Sequence, residues 1–106
     1  MEKITHRIVT GVYGPGARLP SVRDLAFEAA VNPNTMQKAL SELENSGLVF
    51  SERTSGRFVT DDQSRIEEAK RELARESITE FFDAMEKLGY EKEEALSMAS
   101  RMKEGT

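Results

Sequence analysis

A chain of 106 residues, 38% hydrophobic and 32% charged, has the length of one domain, or of a small domain with a helical extension, and the composition of a globular one. It holds no cysteine and one histidine, His6, which excludes disulfides, thiolate metal sites and a cysteine nucleophile and leaves little material for metal or imidazole catalysis. The net charge of −4 is uneven: residues 1–60 carry seven Lys/Arg against six Asp/Glu, and residues 61–106 carry eight against thirteen.

Near the start, Ile4, Ile8 and Val12 recur four apart with Val9 beside them, predicting a short helix over residues 3–12 that Gly14-Pro15-Gly16 ends. A second start signal follows at Ser21-Val22-Arg23-Asp24, a variant capping box in which the serine hydroxyl takes a free amide. Val22, Leu25, Ala26 and Ala29 form the buried stripe of that helix, and Arg23 and Asp24 lie off it. Asn32 then suits an N-cap and Pro33 a first helical position, so a third helix begins after a short turn and runs to about Asn45, with Gly47 stopping it in a left-handed conformation. A helix, a short turn and a second helix is the helix-turn-helix pattern.

The third helix has two chemically distinct sides. Met36, Ala39, Leu40 and Leu43 are apolar, while Asn34, Thr35, Gln37, Lys38 and Ser41 form a strip of hydrogen-bonding groups suited to reading base edges. Beyond Gly47 the period changes. Leu48 to Ser51 and Phe58 to Thr60 flank the polar loop Glu52-Arg53-Thr54-Ser55-Gly56-Arg57, which predicts a β-hairpin whose tip is bracketed by Arg53 and Arg57 and turned by Gly56.

From Asp61 the chain turns acidic and helical, with Ser64-Arg65-Ile66-Glu67 as a full capping box. Ile66, Ala69, Leu73, Ile78, Phe81, Phe82, Met85 and Leu88 recur on one broad face of a long helix that Gly89 ends. A last helix over residues 91–103 turns Ala95, Met98, Ala99 and Met102 inward. Two helices joined by a short turn carry more apolar surface than they hide, and a second copy would cover it. The expected fold is therefore mainly α with a small β-hairpin: a winged helix-turn-helix domain over residues 1–61, then a two-helix antiparallel tail over residues 62–106.

The segments Gly14-Pro15-Gly16, Arg18 to Ala26, Val31-Asn32-Pro33-Asn34-Thr35 and Gly47-Leu48-Val49 closely resemble the winged helix-turn-helix domain of GntR-type bacterial transcription regulators. The Asn-Pro-Asn-Thr turn and the short tail, with Phe81 to Met85 and Leu88-Gly89-Tyr90, are similar to the YtrA subfamily in particular. The resemblance implies a cytoplasmic, homodimeric repressor on a palindromic operator of double-stranded DNA, often beside ABC-transporter genes, with the tail helices pairing the subunits. It also implies a backbone-contacting role for Arg23. Many of these regulators have arginines in the first turn of the recognition helix, where this chain has Pro33 and Gln37. The stretch before the first helix is short against the family pattern, so a truncated chain or a frayed first helix is expected.

The candidate DNA-binding residues are thus Arg23, Asn34, Thr35, Gln37, Lys38, Ser41, Arg53, Gly56 and Arg57, with Arg18 either a further phosphate contact or a turn charge. The candidate dimer-forming residues are Ile78, Phe81, Phe82, Met85, Met98 and Met102, which a ligand-pocket reading competes for less well. No cofactor and no metal site is expected, since a lone histidine lacks companion ligands. No apolar run approaches the roughly 20 residues of a membrane helix and no signal-peptide core is present, which predicts a soluble, unexported protein. A catalytic reading lacks a nucleophile–base pair and a phosphate-cradling loop. The acidic total charge leaves one rival: a winged-helix adaptor that binds another protein and no DNA.

Overall fold

The computed structural model describes residues 2–105, in the order α1 (Glu2–Val9), α2 (Val22–Ala29), α3 (Pro33–Asn45), β1 (Val49–Glu52), β2 (Gly56–Val59), α4 (Gln63–Lys87) and α5 (Lys92–Lys103). This is the mainly helical chain with one hairpin that the sequence patterning predicts. Among the described residues no helix is long and apolar enough to cross a membrane. The residues form two compact units, one running through Arg71 and one beginning at Glu72. The division falls inside α4, whose first turns supply Ile66 and Ala69 to the core of the first unit.

That core is a single apolar cluster. Ile4 and Ile8 of α1, Leu25 and Ala26 of α2, and Met36, Leu40 and Leu43 of α3 meet Leu48, Val49 and Val59 of the hairpin. Burying side chains of this size contributes roughly 1.5–3 kcal/mol each before entropy is counted. The first helix is shorter than its apolar spacing predicts. Thr10 Oγ1 donates to the His6 carbonyl at 2.8 Å, the chain leaves the helix at Gly11, and Val12 is 67% exposed instead of continuing the buried face.

The turn between α2 and α3 is set at both ends. Asp24 N–H donates to Ser21 Oγ at 3.1 Å, which caps α2 as the sequence implies. Asn34 N–H donates to Asn32 Oδ1 at 2.8 Å, with Pro33 leading α3. Between them Ala30 closes α2 in the left-handed region, φ 55° and ψ 42°, its N–H bonded to the carbonyls of Ala26 and Phe27. A side chain held there costs about 1–2 kcal/mol, and the buried stripes on both helices hold it in place.

The hairpin strands reach further than their hydrophobic ends suggest. Pairing runs Val49↔Val59, Phe50↔Phe58, Ser51↔Arg57 and Glu52↔Gly56, which leaves only Arg53-Thr54-Ser55 as the turn. Gly56 is therefore a ladder residue at φ +106°, a conformation that excludes most other residues next to a tight turn. The Phe50 and Phe58 rings stack across the strands at 5.8 Å. The α1–α2 connection adds to the free side of β2: Val59 N–H donates to the Ala17 carbonyl and Leu19 N–H to the Arg57 carbonyl, both at 2.8 Å. This pairing, which leaves Arg18 opposite Phe58, ties the hairpin to the base of α2.

At the start of α4 the cap is Asp62 and not Ser64. Ser64 N–H and Arg65 N–H both donate to Asp62 Oδ1, at 3.0 and 3.3 Å. A carboxylate there satisfies two amides and interacts favourably with the helix dipole, so it displaces the serine two residues later. Arg65 then reaches back, its Nε donating to the Ser46 carbonyl at 2.6 Å, and so caps the end of α3.

In the second unit, Leu88 to Glu91 join the remainder of α4 to α5. Tyr90 N–H donates to the Met85 carbonyl at 3.0 Å, Glu91 N–H to Glu94 Oε1 at 3.0 Å, and the Lys92 ammonium lies 5.8 Å from the Phe82 ring centroid. Ala95 is fully buried and Met98 half-buried, but Ala99 is exposed and Met102 is 77% exposed, so the inward face expected of α5 is only half covered in one chain.

Replacing Ala30 with glycine removes the left-handed penalty and adds unfolded-state freedom worth roughly 0.5–1 kcal/mol. Ala30→Gly is expected to stabilise the chain by about 0.5–1 kcal/mol in urea unfolding; a loss of stability would show that Ala30 is not strained.

Candidate nucleic-acid interface

The two sides of α3 have opposite fates. Met36, Ala39, Leu40 and Leu43 are buried, and this fixes the roll of the helix about its axis. Asn34, Thr35, Gln37 and Lys38 consequently face solvent, and Ser41 is half-buried at the edge of the strip. The cap takes the backbone amide of Asn34 and leaves its side-chain amide outside the cap, so Asn34 retains both a donor and an acceptor. The strip offers amide, hydroxyl and ammonium groups at helical spacing, the chemistry that major-groove base edges accept.

Around this strip the cations sort into two sets. Arg7 is committed internally: its Nη1 donates to the Tyr13 hydroxyl at 3.1 Å and lies 3.5 Å from Glu28. Arg57 is committed to Glu44. Arg18, Arg23, Lys38 and Arg53 have side chains with no hydrogen-bond or ion-pair partner among the described residues. Arg23 is exposed in the first turn of α2, and Arg53 stands in the hairpin turn. Arg18 and Arg53 line a groove of about 880 Å³ between the hairpin and the start of α2, with Ser21 and Asp24 on its other wall. An unpaired guanidinium has no internal bond to break before it meets phosphate.

Two expectations about the hairpin change. Arg57 does not bracket the tip with Arg53. It sits on the stem opposite Ser51, and its Nε donates to Glu44 Oε1 of α3. The tip is backed instead by Arg18, whose Nε lies 3.2 Å from where a Cβ on residue 56 would stand, so a side chain there would push the guanidinium aside by a few tenths of an ångström. The place of Arg18 beside the hairpin is not legible in the sequence, because the pairing of residues 17–19 with β2 leaves no periodic signal.

Glu44 collects both strands. The Ser51 hydroxyl donates to the same Oε1 that receives Arg57, each at 2.5 Å. These bonds, the Ser51 hydroxyl first and the Arg57 guanidinium next, hold the Glu44 carboxyl below its ordinary range despite its partial burial.

The second unit holds the other candidate residues. Ile78 is 54% exposed and Phe81 is exposed, while Phe82, Met85 and Met98 are half-buried. Phe81 and Phe82 tilt against one another with centroids 5.4 Å apart. Leu88, Tyr90 and Leu96 are also exposed; Leu96 lies off the apolar stripe of α5, so periodicity did not select it.

A helix-turn-helix whose second helix shows a polar face, flanked by unpaired cations and a short hairpin, defines a winged-helix DNA-binding transcription regulator. The family model for bacterial regulatory proteins of the gntR family matches residues 1–59, and the chain belongs to that family. It is 38% identical over 104 residues to the HTH-type transcriptional regulator YhcF of Bacillus subtilis, a match spanning 98% of this chain and 86% of that protein. It is 32% identical over 79 residues to the HTH-type transcriptional repressor YtrA of the same organism, spanning 74% of this chain and 61% of that protein. These relatives fit the YtrA-type resemblance in the sequence. Among solved structures, a GntR family transcriptional regulator from Listeria monocytogenes is similar with a TM-score of 0.79 and 37% identity, covering 94% of this chain and 88% of that one. Regulators of this family are DNA-binding proteins and not enzymes, which sets aside the adaptor reading.

Because the Glu44 carboxyl titrates lower in the folded chain than in the unfolded one, its contribution to stability is complete above the unfolded value, ordinarily ~4.3, and is lost as pH falls through the folded value. Urea unfolding between about pH 5 and 3 is expected to show a shallower acid loss in Glu44→Gln than in the wild type; equal slopes would mean that Glu44 gains nothing from Ser51 and Arg57.

Proposed function

We propose that this chain is a homodimeric, sequence-specific repressor that binds a palindromic operator near its own gene, with ABC-transporter genes as the class of target that the YtrA resemblance implies. It works in the cytoplasm on double-stranded DNA and needs no cofactor. The observation that carries this reading is the exposed strip Asn34, Thr35, Gln37 and Lys38 on a helix whose other side is locked in the core.

In this reading α3 lies in the major groove. Asn34 and Gln37 can pair with adenine, Lys38 can take guanine or phosphate, and Thr35 and Ser41 add hydroxyl contacts. Arg23 meets backbone phosphate at the start of α2, and the wing, through Arg53 and the bare backbone at Gly56, follows the adjacent minor groove. The repressor role is the one that YtrA's name gives it.

Dimerisation is assigned to the second unit. Ile78, Phe81 and Met102 are exposed there, with Phe82, Met85 and Met98 half-covered beside them, and a second copy would bury them together. Two recognition helices joined in this way read half-sites about one helical turn, ~34 Å, apart. Residues 72–106 carry five Lys/Arg against nine Asp/Glu, and this acidic balance keeps that unit off the phosphates.

A duplex carrying the DNA upstream of the gene tests the reading by mobility shift. Affinity is expected to fall by about 10³ or more between 50 and 200 mM salt, as about six or more phosphate contacts require. Arg23→Ala is expected to lower the log–log salt slope by about one for any sequence, while Gln37→Ala costs about 1–3 kcal/mol and relaxes base preference. Affinity that ignores salt, or two variants indistinguishable from wild type, would refute the interface. For the tail, Ile78→Glu with Phe81→Glu is expected to convert a dimer to a monomer by light scattering and to weaken operator binding; a wild type already monomeric at micromolar concentration would refute the dimer.

A further inference from the structure

The recognition helix and the wing reach DNA as separate elements, and the core joins them only as far as Val49 and Val59, so the outer stem needs a further hold on α3 to keep its angle. Beyond those residues the hairpin stem is held to α3 by side chains. Ser51 of β1 and Arg57 of β2 are direct cross-strand partners, and both donate to one oxygen of Glu44 in the last turn of α3. One carboxylate thus grips both strands at once.

The position is otherwise a poor one for an acid. A negative charge in the last turn of a helix opposes the helix dipole, and near a DNA-binding face it opposes phosphate as well. Its two donors offset both effects, and Arg57 is correspondingly unavailable: its side chain is 18% exposed and its Nε is bonded to Glu44. Arg18 has the opposite character. It is exposed, has no ion-pair partner among the described residues, and lies against the bare backbone of Gly56 at the tip.

We infer that Glu44, Ser51 and Arg57 form a clamp that sets the wing against the recognition helix, so that Arg57 is a positioning residue, and that Arg18 is the cation the wing presents to phosphate in its place. This rests on the DNA-binding reading above.

The salt slope separates the roles, because a phosphate contact contributes about one to it and a positioning residue contributes none. With the upstream duplex as probe, Arg57→Ala is expected to weaken binding about five- to tenfold with the wild-type slope, and Arg18→Ala to lower the slope by about one. Glu44→Gln is the sharpest variant. Removing a negative charge near DNA tightens binding on charge grounds alone, whereas loss of the clamp weakens it, and weakening is expected.

Arg57→Ala lowering the slope by about one, Arg18→Ala leaving it unchanged, or Glu44→Gln binding as tightly as wild type or more so would each overturn the assignment. Thermal unfolding of each variant checks the fold. Should Glu44→Gln lose the hairpin, Ser51→Ala removes one donor, keeps both charges and is expected to weaken binding with an unchanged slope; full affinity there would count against the clamp. Failure of the underlying reading is distinct, since it shows as absent salt-dependent binding in the wild type before any substitution.

Discussion

The polar strip of α3 depends on the burial of four residues, Met36, Ala39, Leu40 and Leu43, on the other side of the helix. At 3.6 residues per turn, burying those positions leaves the rotation of the helix no freedom, and Asn34, Thr35, Gln37 and Lys38 must face out. Hydrophobic energy here does more than stabilise. It aims a set of polar groups whose own interactions with the protein are few, and a group without internal partners is one that can bind elsewhere without first breaking a bond.

The neighbouring elements fix the ends of that helix. Asn32 and Pro33 define its start, and the Arg65 guanidinium on the Ser46 carbonyl closes its finish from the first turn of α4. The hairpin is secured twice: by backbone, where residues 17–19 pair with β2, and by the side chains of Ser51 and Arg57 on Glu44. The cations follow the same division of labour. Those that hold the scaffold together, Arg7, Arg57 and Arg65, are engaged with internal groups, and those around the recognition helix, Arg18, Arg23, Lys38 and Arg53, are not. In the proposed reading a near-neutral module acts on a polyanion through these four cations, since affinity follows phosphates neutralised locally more than the sum over the sequence.

Sequence carried most of this because the signals are local. Ser21, Asn32-Pro33 and Gly47 are cap chemistry, and the apolar stripes of α2 and α3 are simple periodicity. What it missed is long-range or competitive. Val12 keeps the helical spacing but follows Gly11, and a spacing rule does not see where a helix stops. Ser64 and Asp62 are both competent caps, and the hydrogen bonds chose the carboxylate. Arg57 reads as a free wing cation until Glu44, thirteen residues earlier, is found beneath it. Phe27, 88% exposed on α2, carried no sequence signal.

The central claim, that α3 reads base edges as one half of a twofold pair, is tested most directly by selection from a pool of random duplexes with the wild-type chain. The account predicts enrichment of an inverted repeat with half-sites about one helical turn apart. A pool that stays random, or a single unrepeated element recovered equally by a chain lacking the Gln37 and Lys38 side chains, would contradict it.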